Sequence, residues 1–255
     1  MSKVAANVTP ETPAHAHAIK RVIFTMGGKG GVGKTSVILA LAEWFQTNQI
    51  PVTLLDLDTE NKASGSLKHY FDDDVHKVNI HTPAGLDAFI DHLGDGARIV
   101  LADMGAGSGK VAHEWFDAMY EDVAATGVDF TAVGVVTPDP ASVESVLTWA
   151  SSLQDRVKYV IVENSISHAA EFPYWNYSEQ AKRFREVFQP AIIQAEFRLS
   201  ELENPARQHG VTLGKVAGRN TEIPELQKSS VVMRAQSCRR RLFSSFDSIK
   251  ESFLP

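Results

Sequence analysis

Apolar residues in this chain fall into short unbroken runs, and between the runs they recur at helical spacing. That pattern marks strands buried on both faces, alternating with amphipathic helices. Val22, Ile23 and Phe24 form the first run and enter a glycine-rich turn. Residues 35–46 then read as a helix with Ile38, Leu41, Ala42 and Phe45 on one face. The segment 51–56 is nearly all apolar and follows that helix by a short loop, so it reads as a buried parallel strand. A helix is expected over 85–93, and strands over 97–103, 130–138, 158–164 and 191–197. The turn Pro138-Asp139-Pro140 opens a helix that runs through Trp149, a basic helix covers 178–188, and 200–209 is helical. Leu242, Phe246, Ile249 and Phe253 make one apolar stripe, headed by Arg234, Arg239, Arg240 and Arg241, so a basic amphipathic helix is expected from about 230 to 253. Residues 1–19, rich in Ala, Thr and Pro, read as a mobile leader, which leaves 20–255 as a single domain.

The glycine-rich turn carries the first chemistry. Gly28, four residues, then Gly33-Lys34-Thr35 is the spacing of a phosphate loop between strand and helix. Glycines allow successive N–H groups to point inward at phosphate oxygens, and the helix that follows adds its unpaired amides and the positive end of its dipole. Lys34 would reach the β- and γ-phosphates, and the Thr35 hydroxyl would ligate Mg2+. The expected nucleotide cradle is therefore Gly28, Lys29, Gly30, Gly31, Val32, Gly33, Lys34, Thr35 and Ser36. One βα unit later, Asp56 and Asp58 stand at the carboxyl end of a strand, the edge where open α/β sheets bind ligands. Asp103 ends the 97–103 strand in the same way. Gly105-Ala106-Gly107-Ser108-Gly109-Lys110 is not a second phosphate loop, because Met104 holds the first glycine position and Val111 follows the lysine.

Composition narrows the classes. A chain of 255 residues with 44% apolar and 22% charged residues suits one soluble α/β domain with a large core. A formal charge of −6 requires that contact with nucleic acid or membrane come from a local basic patch. No apolar run reaches the length of a membrane span and the first residues lack the apolar core of a signal peptide, so a cytoplasmic location is expected. With Cys238 the single cysteine, an internal disulfide and a cysteine-ligated zinc or iron–sulfur site within one chain are excluded. The nine histidines show no metal-ligand spacing.

Lys29 directly after Gly28 makes the run KGGVGKTS. This resembles the deviant Walker A motif of the ParA/MinD group of P-loop ATPases, over residues 21 to about 215. The resemblance implies a doubly wound, mostly parallel sheet flanked by helices, ATP and Mg2+ as cofactors, and a homodimer when ATP is bound. It implies that Lys29 reaches the nucleotide held by the other subunit, that Asp58 orients or activates the attacking water, and that Asp56 helps hold the magnesium shell or the loop. Asp103 would bind magnesium through a water, and Gly107 matches the glycine of the second switch. Asn164 stands where relatives place an asparagine that hydrogen-bonds adenine; locally it reads equally as a turn residue. Where partition ATPases commonly have Pro-Gln after the second aspartate, this chain has Thr59-Glu60, while Asn61 matches. That loop is also similar to the one in ParA-like proteins of conjugative plasmids. The one Asn-Lys pair, Asn61-Lys62, is followed by Ala63-Ser64 and makes no guanine signature, so ATP is expected over GTP. Cysteine-ligated members of the superfamily, such as nitrogenase-type iron proteins, have no counterpart for their ligands here.

The expected activity is ATP hydrolysis that switches a dimer and positions or segregates DNA or another cargo, with an adaptor or activating protein as partner. Two alternatives stand beside it: a small-molecule synthetase of the dethiobiotin synthetase kind, which generally lacks a lysine at the position of Lys29, and an ATP-binding adaptor without turnover. Phe172, Tyr174, Trp175 and Tyr177 read as core packing ahead of a partner surface. The C-terminal helix reads first as packed on the sheet with nonspecific DNA contact through its arginines. Membrane binding ranks behind, since Ser244, Ser245, Asp247, Ser248 and Glu251 leave the polar face poorly cationic.

Overall fold

The computed structural model describes residues 19–58, 66–71, 74–94, 96–165, 171–197 and 200–255. The leader 1–18, the loop residues Thr59, Glu60, Asn61 and Lys62, and Asp72 and Asp73 of an acidic run lie outside them. Seven strands make one sheet: β1 (Lys20–Met26), β2 (Val52–Asp56), β3 (Val75–Lys77), β4 (Ile99–Asp103), β5 (Val128–Val136), β6 (Lys158–Asn164) and β7 (Ala191–Ala195). Their order is β3-β2-β4-β1-β5-β6-β7, and every pairing is parallel. The helices are α1 (Lys34–Thr47), α2 (Lys68–Phe71), α3 (Pro83–Gly94), α4 (Gly109–Ala125), α5 (Pro140–Leu153), α6 (Pro173–Tyr177), α7 (Glu179–Phe188), α8 (Ser200–Gln208), α9 (Leu213–Ala217) and α10 (Ser229–Ser248).

Strand periodicity sorts the core into two layers. Val22, Phe24, Val100 and Ala102 face one layer, where Phe89 of α3, Trp115 of α4, Trp149 of α5 and Phe184 of α7 pack. Ile23, Ile99 and Leu101 face the other, against Val37 and Leu41 of α1 and Leu242 and Phe246 of α10. A sheet covered on both faces is what the unbroken apolar runs require. From β1 the chain moves through α1 to β2 on one side, and it later crosses from β4 to β5 on the other. The strand order reverses at β1, which opens a crevice at its carboxyl end.

Several details depart from the sequence-based expectations. The three-residue edge strand β3 was not anticipated, having too few residues to show a period. The C-terminal helix stops at Ser248, and a 3-10 turn, Lys250–Ser252, carries the chain to Phe253, which is fully buried. α10 is packed along its length through Val231, Ala235, Cys238, Leu242 and Phe246, and Trp44 Nε1 donates to Asp247 Oδ1 at 2.9 Å. In the aromatic segment Phe172 and Trp175 are buried, and the Arg185 guanidinium lies 4.9 Å from the Trp175 ring centroid; Tyr177 is 81% exposed.

Candidate functional site

Between β1 and α1 the backbone makes a loop whose glycines are used in two ways. Gly33 has φ +107°, and a Cβ there would come within 2.8 Å of Asn164 Nδ2, so conformation and space both require glycine. At Gly30 and Gly31 a Cβ would meet nothing within 4 Å among the described residues, unlike at Gly33. The first helical bond runs from Val37 N–H to the Gly33 carbonyl at 3.1 Å, and no side chain caps α1. The amides of Lys34, Thr35 and Ser36 are therefore left for an anion.

Side chains from three strand ends converge on this loop. Thr35 Oγ1 donates to Asp103 Oδ2 at 2.7 Å, and Thr25 Oγ1 to Asp103 Oδ1 at 3.2 Å. The β2–β4 register sets Asp56 beside Asp103. Asp56 accepts from the Asp58 amide at 3.1 Å and from the Ser66 hydroxyl. Burial, with Asp56 adjacent, raises the Asp103 carboxyl to about 7 against the bonds from the two threonines and the Lys34 charge. Lys34 is 8% exposed and donates to the Lys29 carbonyl at 3.0 Å; burial lowers its pKa, opposed by Asp103 and Asp58. Asp58, 9% exposed, lies against Gly105, where a Cβ would fall 2.6 Å from its Oδ1. A hydroxyl and two carboxylates are hard oxygen donors of the kind magnesium takes. Among the described residues no group of three or more His, Cys, Asp or Glu gathers as a metal cluster, so a divalent ion here would depend on phosphate and water oxygens as well.

The sequence matches the family described as the CobQ/CobB/MinD/ParA nucleotide binding domain over residues 23–236. The chain belongs to that family. Among solved structures it is similar to the MinC:MinD cell division protein complex of Aquifex aeolicus, at 14% identity and TM-score 0.50, covering 92% of this chain and 97% of that one. MinD from the same organism gives 16% identity, TM-score 0.49 and coverage of 92% and 99%. A plasmid partition protein of Borrelia burgdorferi B31 bound to AMPPNP gives 12%, 0.48, 86% and 98%. At these identities the first bears on the fold alone, and the other two carry no argument. A search of curated protein sequences returns no match.

Within this nucleotide-binding domain the remaining expected residues are placed as follows. Lys29, 44% exposed, directs its ammonium at Asp139 Oδ2, 3.2 Å away, in the same chain. Asn164 is 3% exposed with both ends engaged: Nδ2 donates to the Val32 carbonyl at 2.8 Å and Oδ1 accepts from Phe197 N–H at 3.1 Å. Here it ties the phosphate loop to the segment after β7. Gly107 lies in a 3-10 turn, Ala106–Ser108; the glycine pressed on a catalytic candidate is Gly105. Arg239 and Arg241 are engaged, the first with Thr47 Oγ1 and 4.2 Å from the Phe243 ring centroid, the second with Glu196 at 3.5 Å. Arg234 and Arg240 are exposed on α10, apart from the phosphate loop's cluster. Thr25, Ser66, Asp139 and Ser145, all in contact with the site, were not singled out for it from sequence. Of these only Asp139 had a visible signal, its place between two prolines at a helix start.

Proposed function

We propose that this protein is an ATP-dependent dimerising switch that hydrolyses ATP. The observation that carries the reading is the division of the loop's two lysines: Lys34 is buried with its ammonium inside the loop on the Lys29 carbonyl, while Lys29 is half exposed at the loop's surface, where a second subunit could be met. In this reading the amides of residues 30–36 and the Lys34 ammonium bind and orient the phosphates, Thr35 with Asp103 and Asp56 holds Mg2+, and Asp58 orients the attacking water. Bound magnesium would supply charge neutralisation at the phosphates. Dimer closure would exclude water and bring Lys29 to the partner's nucleotide, and hydrolysis would release the pair. Use of the dimer to position or segregate DNA, with an adaptor or activating protein, is supported by family membership and by the exposed Arg234 and Arg240. The cytoplasm is its proposed location; no helix among the described residues is long and apolar enough to cross a membrane.

Oligomer size and ATP turnover of wild type, Lys29→Ala and Asp58→Ala test the reading. We expect nucleotide-dependent dimers in wild type, their loss with Lys29→Ala, and dimers without turnover with Asp58→Ala. Full activity of a monomer that is indifferent to Lys29→Ala would instead mark a synthetase. Dimers of wild type without any turnover would mark an adaptor.

A further inference from the structure

A single element holds Lys29 at both its ends. Its backbone N–H donates to Ser145 Oγ at 3.2 Å, its ammonium pairs with Asp139 Oδ2 at 3.2 Å, and the Gly28 N–H also donates to Ser145 Oγ. Ser145 lies on α5, and Asp139 is the residue that caps the same helix. Asp139 is preset for this. It stands between Pro138 and Pro140, and the residue before a proline is kept out of the helical region; its φ and ψ are −71° and 119°. Its Oδ1 accepts from the Ala141 amide at 3.0 Å, which leaves Oδ2 aimed at the loop. That amide, and then Lys29, hold the Asp139 carboxyl below the usual carboxylate range, so it is ionised at neutral pH. Little ordering is left for the pair to lose on forming, because one partner is already fixed by its backbone and cap.

We infer that Asp139 and Ser145 are positioning residues for Lys29. Ser145 anchors its backbone, while Asp139 keeps its ammonium folded on its own subunit, so that dimer formation requires the Lys29–Asp139 pair to open. This rests on the reading that Lys29 crosses to a second copy. The pair is suited to a bias that yields on closure. Lys29 and Asp139 are 44% and 48% exposed, a setting in which an ion pair shifts a population by a factor of about two to five. A dimer opens two such pairs, so the effects multiply.

The test titrates a non-hydrolysable ATP analogue into wild type, Asp139→Asn and Ser145→Ala and reads dimer by sedimentation velocity. Asparagine caps a helix about as well as aspartate, so Asp139→Asn removes the charge and keeps the α5 cap. We expect its dimers at roughly two- to tenfold lower nucleotide, with the gap to wild type narrowing as salt rises from about 50 to about 500 mM. Ser145→Ala should move the midpoint the opposite way, since two loop amides lose their acceptor; a merely structural role for α5 would move both variants in the same direction. An unchanged or higher midpoint in Asp139→Asn overturns the inference. If wild type itself stays monomeric, the reading of a dimeric switch fails. The pair is then judged in the monomer by the NMR titration of the Asp139 carboxyl, which Lys29→Gln should raise; no movement there overturns it.

Discussion

Both ends of β1 bury charge, and they do so to opposite effect. At the amino end Arg21 is 2% exposed, paired with Asp129 at 3.1 Å, and its Nε donates to the Leu254 carbonyl at 3.3 Å. Beside it Thr131 Oγ1 donates to the Ser252 carbonyl at 2.6 Å, so the chain terminus is stitched under the sheet. At the carboxyl end Lys34, Asp56 and Asp103 are buried too, but the Lys34 ammonium bonds a loop carbonyl, and Asp103 relies on two threonine hydroxyls. At the first end Asp129 and the Leu254 carbonyl meet the charge from within the chain, although burial still lowers the Arg21 pKa and its Nη1 finds no partner among the described residues. In the second, burial works against both the lysine and the aspartate, and a phosphate with a divalent cation would answer each. Seven residues of one strand thus serve stability at one end and binding at the other.

The contrast is broken most sharply at Lys34. Replacing it with alanine should weaken nucleotide binding by about a hundredfold or more, about 3 kcal/mol, because a desolvated phosphate contact loses its cation. Fluorescent-nucleotide titration reads this, and the melting temperature without nucleotide should hold or rise, since the lysine's burial outweighs the Asp103 and Asp58 charges that oppose it. The amino end should respond the other way. Asp129→Ala leaves a buried guanidinium without its half-exposed carboxylate and should cost about 2 kcal/mol of stability in denaturant unfolding. Arg21→Met, which removes the buried charge and keeps an apolar stem, should cost clearly less, with nucleotide affinity unchanged in both.

Most of the sheet was legible from the chain because strands covered on both faces are written as unbroken apolar runs, whereas the Arg21–Asp129 pair, which joins two strands far apart in sequence, was not. The sheet-edge residues Val75, His76 and Lys77 escaped because one-sided pairing demands no such run. The phosphate loop was legible because its residues are contiguous and each type is demanded by local geometry. What sequence could not supply is what the fold brings in from afar. Ser145 lies 117 residues from Gly28, on a helix face that looks like any other, and Gly105 is required only because β2 and β4 set Asp58 against it. For Asn164 the sequence left a base contact and a turn residue open; the fold brings Val32 and Phe197 to its amide, partners that no local pattern announces.

A third test sharpens the electrostatic side. The Asp103 carboxyl is raised to about 7, foremost by burial, from an ordinary value of 3.8. Between those values the folded protein holds a proton that the unfolded chain has released. Without nucleotide and metal, this group's contribution to stability should therefore fall as pH rises from about 4 to about 7, and stay low above. Asp103→Asn should flatten that slope and stabilise the nucleotide-free protein at pH 8 by on the order of 2 kcal/mol, while weakening magnesium-dependent nucleotide binding. Urea unfolding at several pH values with a chelator present checks it, and a slope unchanged by the substitution would show that the buried carboxylate is answered after all.

The smallest expected effect is at Gly105, and it isolates geometry from charge. Its φ of −63° suits any residue, so the demand for glycine there is purely spatial. An alanine Cβ would lie 2.6 Å from Asp58 Oδ1 and 3.2 Å from Asp58 Cα. The carboxylate could rotate away, but the backbone atom cannot, so the β2 end and the loop after β4 must part. Overpacking of that kind costs about 1–2 kcal/mol. Because Lys34, Thr35 and the loop amides lie elsewhere, nucleotide affinity should stay within about twofold of wild type, while a displaced Asp58 lowers turnover on the order of tenfold. Turnover and affinity falling together would mean that the loops after β2 and β4 and the phosphate loop move as one body. A fall in turnover alone would assign to Asp58 the orientation of water and nothing more.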